Sequence, residues 1–237
     1  MEATGKTSPR FKAKIAGAFY FLEMLTGGLA VTVVGKLVVP SDAAMTATNI
    51  LAHTSLFRLA FAANLLQFTC YIAVTGLFYD LFRPVNRNLS LLAAFFSIVG
   101  CTVGAISCLF ELAPVIILGR VRYLAVFNHE QLQALALLFL RLFVECFNIS
   151  FVFFGFYCLL IGYLILRSSF LPRILGAGMA LAGLAWLTFL SPPLVHSLSP
   201  YILIPGILGE GSLTLWLIVA GVNASRWEEQ AASRTFD

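Results

Sequence analysis

Six uninterrupted apolar stretches decide what this chain can fold into. They run over roughly residues 15–34, 56–82, 89–118, 142–166, 171–191 and 201–222. Each holds about the 20 residues that an α-helix needs, at about 1.5 Å per residue, to cross the hydrocarbon core of a bilayer. In lipid a spanning segment must satisfy its own backbone, so such stretches become helices rather than loops or open strands. Composition points the same way: 60% of the 237 residues are hydrophobic and 11% are charged, whereas a soluble domain carries about 25% charged residues. The expected fold is all-α, a polytopic membrane bundle of about six transmembrane helices.

The ends of these stretches carry sensible punctuation. Arg83-Pro84-Val85-Asn86-Arg87-Asn88 reads as a basic turn, and so does the segment from Arg167 to Arg173. Ser191-Pro192-Pro193 stops the fifth helix, because proline lacks the amide and restricts the residue before it. Residues 1–14 form a basic segment, 15–223 a single membrane domain and 224–237 a polar, solvated tail with Trp227 as an interfacial anchor. The first apolar block is too long for a signal-peptide core and no A-x-A-like cleavage site follows it, so it should remain as a span.

An even number of spans places both termini on one side, and the basic residues say which. With the N-terminus inside, the cytoplasmic segments hold ten Lys and Arg, namely Lys6, Arg10, Lys12, Lys14, Arg83, Arg87, Arg167, Arg173, Arg226 and Arg234. The outer segments hold five: Lys36, Arg58, Arg120, Arg122 and Arg141. This asymmetry favours N-in and C-in.

Two stretches overrun a simple bundle. Pro40-Ser41-Asp42 reads as a helix N-cap, no Gly or Pro follows until Gly76, and Ser55 offers a second cap. The run from Gln131 to Leu166 has no Pro, and at 36 residues it would extend about 54 Å, well past a hydrocarbon core of about 30 Å. The stripes Leu132, Leu135, Phe139 and Met45, Asn49, Ala52 are expected to pack as a small outer helical cap. Interfacial helices lying on the membrane are the alternative.

Several function classes fall away. The net charge is +4, but the basic residues are dispersed between apolar blocks, with no clustered face for nucleic acid. The five cysteines (Cys70, Cys101, Cys108, Cys146, Cys158) all lie in apolar segments without metal-ligand or redox spacing, and read as small hydrophobes. His53, His129 and His196 lie near outer ends or loops, so axial haem ligands inside the bundle are missing. An outer metal site using His53, His129 and Glu130 has no H-x-x-x-H spacing to support it. No G-x-S-x-G, H-E-x-x-H or phosphate-loop pattern occurs, and neither a cofactor nor a catalytic residue is expected.

A set of motifs resembles a bacterial membrane family known as domain of unknown function 4386. The likeness runs from Lys14-Ile-Ala-Gly-Ala-Phe-Tyr20 through Leu37-Val-Val-Pro-Ser-Asp-Ala-Ala44, Leu56-Phe-Arg58, Arg83-Pro-Val-Asn-Arg87 and Leu91-Leu-Ala-Ala-Phe-Phe96. It continues with Gly162-Tyr-Leu-Ile165, Phe170-Leu-Pro-Arg-Ile-Leu-Gly176 and Gly209-Glu210. The resemblance implies one compact helical domain in a bacterial inner membrane. In members of that family acidic residues often stand where this chain has Asn64 and Tyr71, and histidines where it has Phe143 and Tyr157. Any metal or proton set built on those groups is lost here.

Ionisable groups at membrane depth cost several kcal/mol unless neutralised, paired or wet, which makes each a functional candidate. Glu23 lies well inside the first span. Glu210 lies about nine residues from the outer end of the sixth, in Gly206-Ile-Leu-Gly-Glu-Gly211. Small neighbours (Gly27 and Ala30; Gly206 and Gly211) admit a close partner. Each acid is either inter-helix glue or a cavity-lining carboxyl that binds a cation, a proton or a polar head. On the second span Asn64, Gln67, Tyr71 and Thr75 share a face, continued by His53 if the helix is unbroken. On the third, Ser97, Gly100, Gly104, Cys108 and Glu111 form a small-residue packing stripe. On the fourth, Arg141, Glu145 and Asn148 stack, and with Arg58 and Glu111 at the same depth they are expected to form one outer charge network; the alternative is a vestibule for an anionic head group.

Three functions stay open: binding, with carriage as an option, of a small or lipid-like ligand in a cavity polarised by Glu210, Glu23, Asn64, Gln67 and Tyr71; an accessory subunit packing against other membrane proteins; and an intramembrane enzyme. The expected partners are membrane lipid, a small hydrophobic ligand or another membrane protein.

Overall fold

The structure, a computed structural model, describes residues 8–119 and 121–233. Lys6, Arg120 and Arg234, used above for topology, and the start of the basic N-terminal segment lie outside the described residues. Within them the chain forms nine α-helices and no strand. These are α1 (Pro9–Leu37), α2 (Ala43–Ala52), α3 (Thr54–Phe82), α4 (Arg87–Leu118), α5 (His129–Arg167), α6 (Arg173–Leu187), α7 (Pro192–Leu198), α8 (Leu203–Val219) and α9 (Ala224–Ser233).

Helices α1, α3, α4, α5 and the α6 segment to Leu190 are each long and apolar enough to cross a membrane. In none of them is more than half of the most apolar stretch buried, so large side chains such as Val31, Leu109 and Ile174 face outward, as they do on a surface that meets lipid. The chain is a multi-pass membrane protein. The sixth span differs from the single helix expected over 201–222. Helices α7 and α8 meet at 83° and are long enough only as a pair. Prolines explain the break: Pro192 and Pro193 start α7, Pro200 cannot continue it, and Pro205 is tolerated in the first turn of α8 because those amides have no partner in the helix anyway.

The run expected to be continuous from Asp42 breaks at His53. Asp42 does cap α2, accepting from the Met45 amide at 2.8 Å, but α2 ends at Ala52 and α3 starts at Thr54. The Thr54 hydroxyl bonds back to the Ile50 and Leu51 carbonyls, satisfying the end of α2 without a glycine. His53 therefore does not extend the polar face of α3. The other long run holds: α5 is unbroken over 39 residues, about 58 Å.

The chain divides into two compact units, Met1–Leu22 with Cys70–Gly100 and Phe151–Asp237, and Glu23–Thr69 with Cys101–Ser150. The division falls within α1, α3, α4 and α5. In the first unit small residues let backbones approach: a Cβ on Gly162 would lie 2.8 Å from the Gly176 carbonyl oxygen, and one on Gly209 would strike the Gly178 carbonyl. Lys12 pairs with Asp80 at 2.5 Å, and Arg83 reaches the same carboxylate at 3.4 Å. The tail is not simply solvated, as expected, but folds as α9. Its Trp227 indole donates to the Leu81 carbonyl at 2.8 Å, while Glu228 and Glu229 stay exposed.

In the second unit Ala30, Phe57, Ala60, Ile117 and Leu140 form a core with Ala47 and Ile50 of α2, and Leu132, Leu135 and Phe139 pack against it. Helix α2 is thus the small cap, but turned one residue from expectation. Thr46, Ala47 and Ile50 are buried, while Met45 and Ala52 are exposed and Asn49 donates to the Leu37 carbonyl. The small-residue stripe of α4 packs against rings rather than backbone: Phe68 lies against Gly104 within this unit, and Phe154 against Gly100 within the other.

Candidate functional site

The five ligand-cavity candidates separate into two groups. In the first unit α8 buries Glu210 to 7% exposure. Its Oε2 accepts from the Tyr20 hydroxyl of α1 at 2.5 Å. Its Oε1 accepts from the Trp186 indole N–H of α6 at 2.5 Å and from the Cys158 thiol of α5 at 3.7 Å. Four helices thus meet on one carboxyl. Tyr20 and Trp186 suit this task because each brings an apolar body and a single polar tip. Gly206 makes it possible, since the Trp186 ring occupies the space a Cβ there would need. Tyr71 joins from α3, edge-on to Tyr20 at 5.6 Å and 4.5 Å from the Phe154 ring centroid, with its hydroxyl within electrostatic reach of Glu210. The buried hydroxyls of Tyr71 and Thr214 have no hydrogen-bond partner among the described residues. Further along the same face, Thr75 bonds to the Tyr71 carbonyl and to Ser97.

The second unit holds Glu23, Asn64 and Gln67. Gln67 donates to Glu23 at 2.9 Å, and Asn64 donates to Glu111 at 2.8 Å. The two amides sit one turn apart on α3, so one face of that helix clasps an acid from α1 and another from α4. Gly27 leaves the space Gln67 fills, its missing Cβ lying 2.8 Å from the amide. Glu111 is fully buried, and its second oxygen has no hydrogen-bond partner among the described residues.

The expected outer charge network does not form. Among the described residues no ion pair joins Arg58, Glu111, Arg141 and Glu145. Helical phase is the reason: Glu111 turns inward to Asn64, whereas Arg58, Arg141 and Glu145 are exposed. Arg141 donates instead to the Pro40 carbonyl at 3.1 Å, and Asn148 is half-buried on the neighbouring turn. No group of three or more His, Cys, Asp and Glu is arranged to hold a metal among the described residues.

A cavity of about 630 Å³ lies in the first unit, where the start of α1, the α5–α6 turn and the α8–α9 turn meet. Arg10 and Arg226 line it, with Ser169, Asn223 and Ser225 as polar neighbours and Trp216 on the apolar wall. Gly221 builds this corner. It closes α8 with φ +68°, and a Cβ there would lie 3.0 Å from the Arg10 side chain, so both conformation and space require glycine. Asn223 starts α9 by accepting from the Arg226 amide at 3.2 Å. Sequence reasoning missed Tyr20, Trp186 and Cys158 around Glu210, and missed this cavity. The available signal was chemical: Tyr and Trp tips deep in apolar blocks need a partner.

No curated protein and no solved structure matches the chain. A family model does, over residues 15–221, from the first span to the end of the sixth. The chain belongs to the family described as domain of unknown function, DUF4386.

Proposed function

We propose that the protein binds a small, lipid-like amphiphile in the cavity between the start of α1 and the α8–α9 turn. The observation that carries this reading is the cavity itself. It is an open cleft of about 630 Å³, with Arg10, Ser169, Trp216 and Arg226 exposed at its rim. That size falls within the range of about 300–1,000 Å³ usual for small-molecule sites, and the cleft sits at the ends of spans, where a polar head and an apolar tail find matching surroundings. Glu210 enters as the hub that holds α1, α5, α6 and α8 together, since Tyr20, Trp186 and Cys158 already occupy its oxygens. The compartment in this reading is a bacterial inner membrane, with both termini and the cavity cytoplasmic. Eight described Lys and Arg fall in the first unit and four in the second, the bias expected of a cytoplasmic face.

Native mass spectrometry of the gently extracted protein tests the proposal. One amphiphile per chain should be retained, and Ala224→Trp, which fills the cavity, should lose it while keeping the fold. An empty chain, or retention undiminished by Ala224→Trp, rejects the reading. Recovery instead of a stoichiometric membrane protein without bound amphiphile would favour an accessory subunit, which the closely packed surroundings of Glu210 also suit.

A further inference from the structure

Resting on that reading of the cavity, we infer that its ligand is a phosphate-bearing anion, held between Arg10 of α1 and Arg226 of α9. The lining residues include two arginines and no acidic residue. Among the described residues the Arg10 side chain makes no hydrogen bond or ion pair, and the Arg226 guanidinium makes only a long bond, 3.4 Å, to the Ser169 carbonyl. No acid among the described residues forms an ion pair with either cation. Asp80 is engaged by Lys12 and Arg83, and Glu228 and Glu229 are exposed on α9 without lining the cavity. Planar guanidinium forks match phosphate oxygens two at a time, which suits arginine better than lysine for this work. The hydroxyls of Ser169 and Ser225 at the same wall are already committed to Gln230 and Asn223, which leaves the arginines as the donors there. Trp216, Phe170 and Leu171 give the apolar side against which the rest of an amphiphile lies.

The chain also requires this corner to be held in place. Gly221 brings the Arg10 stem against the α8–α9 turn. Gln230 ties α9 to the α5–α6 turn through the Ser169 amide, at 3.1 Å. Trp227 pins the same helix to Leu81. The two arginines are thus carried on elements fixed to each other before any ligand arrives, which lowers the ordering cost of binding.

The test is a titration of the full-length protein in neutral detergent, read by native mass spectrometry. The probes are dioctanoyl phosphatidylglycerol, dioctanoylglycerol, which has the same tails without phosphate, and inorganic phosphate as competitor. Phosphatidylglycerol should bind one per chain at least tenfold more tightly than dioctanoylglycerol. Arg10→Gln with Arg226→Gln should remove that preference, while the charge-matched pair Arg87→Gln with Arg167→Gln, outside the cavity, should keep it. Displacement by millimolar inorganic phosphate means the free anion suffices; no displacement assigns the site to a lipid head group. Equal binding of the two glycerolipids overturns the phosphate assignment but leaves the amphiphile reading standing, and no binding of either overturns both. Equal loss in the control pair also overturns the site, because the effect is then one of overall charge. The two-probe comparison needs only the unmodified protein, so it decides the question even if a variant unfolds.

Discussion

Buried carboxyls are handled in two ways in this molecule, and the contrast separates structure from function. Glu210, in the first unit, is met on both oxygens by donors from three other helices. Glu111, in the second, has one amide donor on one oxygen and, among the described residues, none on the other. A carboxyl that is fully surrounded acts as a knot: removing it strands several donors at once, and each buried unsatisfied group costs about 1–3 kcal/mol. A carboxyl with one neutral donor holds far less of the fold.

The largest effect should therefore come from Glu210→Leu. It leaves the Tyr20 hydroxyl and the Trp186 indole without an acceptor, and should cost about 4 kcal/mol, read as lowered thermal stability in detergent. Glu210→Gln is the sharper variant. Its remaining oxygen can accept from the indole, which has no other option, while the Tyr20 hydroxyl can rotate to accept from the new amide. It should cost no more than about 1 kcal/mol. A Gln variant as unstable as the Leu variant would show that the hub depends on charge rather than on acceptor geometry.

Next is Trp186→Phe, which keeps an aromatic ring beside Phe151, 4.6 Å away between centroids, but loses the donor and opens space against Gly206. A cost of about 2 kcal/mol is expected from the lost bond and the void together. Gly206→Ala should be comparably harmful for the opposite reason, because its Cβ enters the ring. If Gly206→Ala is silent, the indole does not sit against α8 and the hub must be redrawn.

The Asn64–Glu111 pair should show a smaller effect. Glu111→Gln preserves an acceptor for Asn64 and should be close to neutral. A double-mutant cycle of Asn64→Ala with Glu111→Gln should return a coupling of about 1 kcal/mol or less. Coupling as large as the Glu210→Leu loss would erase the distinction between the two carboxyl environments.

Sequence made one half of this comparison legible and hid the other. Depth in an apolar block singles out Glu210, Glu23 and Glu111 because charge is costly there, and the polar face of α3 follows from a period of 3.6. What periodicity does not give is which helix stands opposite. Tyr20 and Trp186 lie 190 and 24 residues from Glu210, and in blocks apolar all round no face is marked as inward. The length of α5 was readable, since nothing in 131–166 breaks it. The end of α2 was signalled only by the second cap at Ser55, one residue past the observed start of α3, because no Gly or Pro marks the break at His53. The cavity was hidden for a similar reason: its walls come from residue 10, residues 169–172 and residues 216–226, three segments that only folding brings together.

The smallest effect is expected where the sequence promised a large one. Arg141 and Glu145 stand four residues apart on α5, a spacing that invites an ion pair. The order is the weaker one, with the cation N-terminal to the acid. Both side chains are exposed, and the Arg141 guanidinium is spent on the Pro40 carbonyl, 101 residues away in sequence. Glu145 makes no ion pair among the described residues. Arg141→Gln should then cost no more than the loss of one exposed hydrogen bond, about 0.5 kcal/mol, and Glu145→Gln should fall within about 0.5 kcal/mol of no change. The double variant should equal the sum of the two, because groups that share no partner do not couple. A cycle returning about 1 kcal/mol or more would mean that Arg141 leaves Pro40 for Glu145 in the membrane. Arg58→Gln combined with each variant then locates any wider network: additivity throughout confines the electrostatics of the second unit to its buried acid–amide pairs.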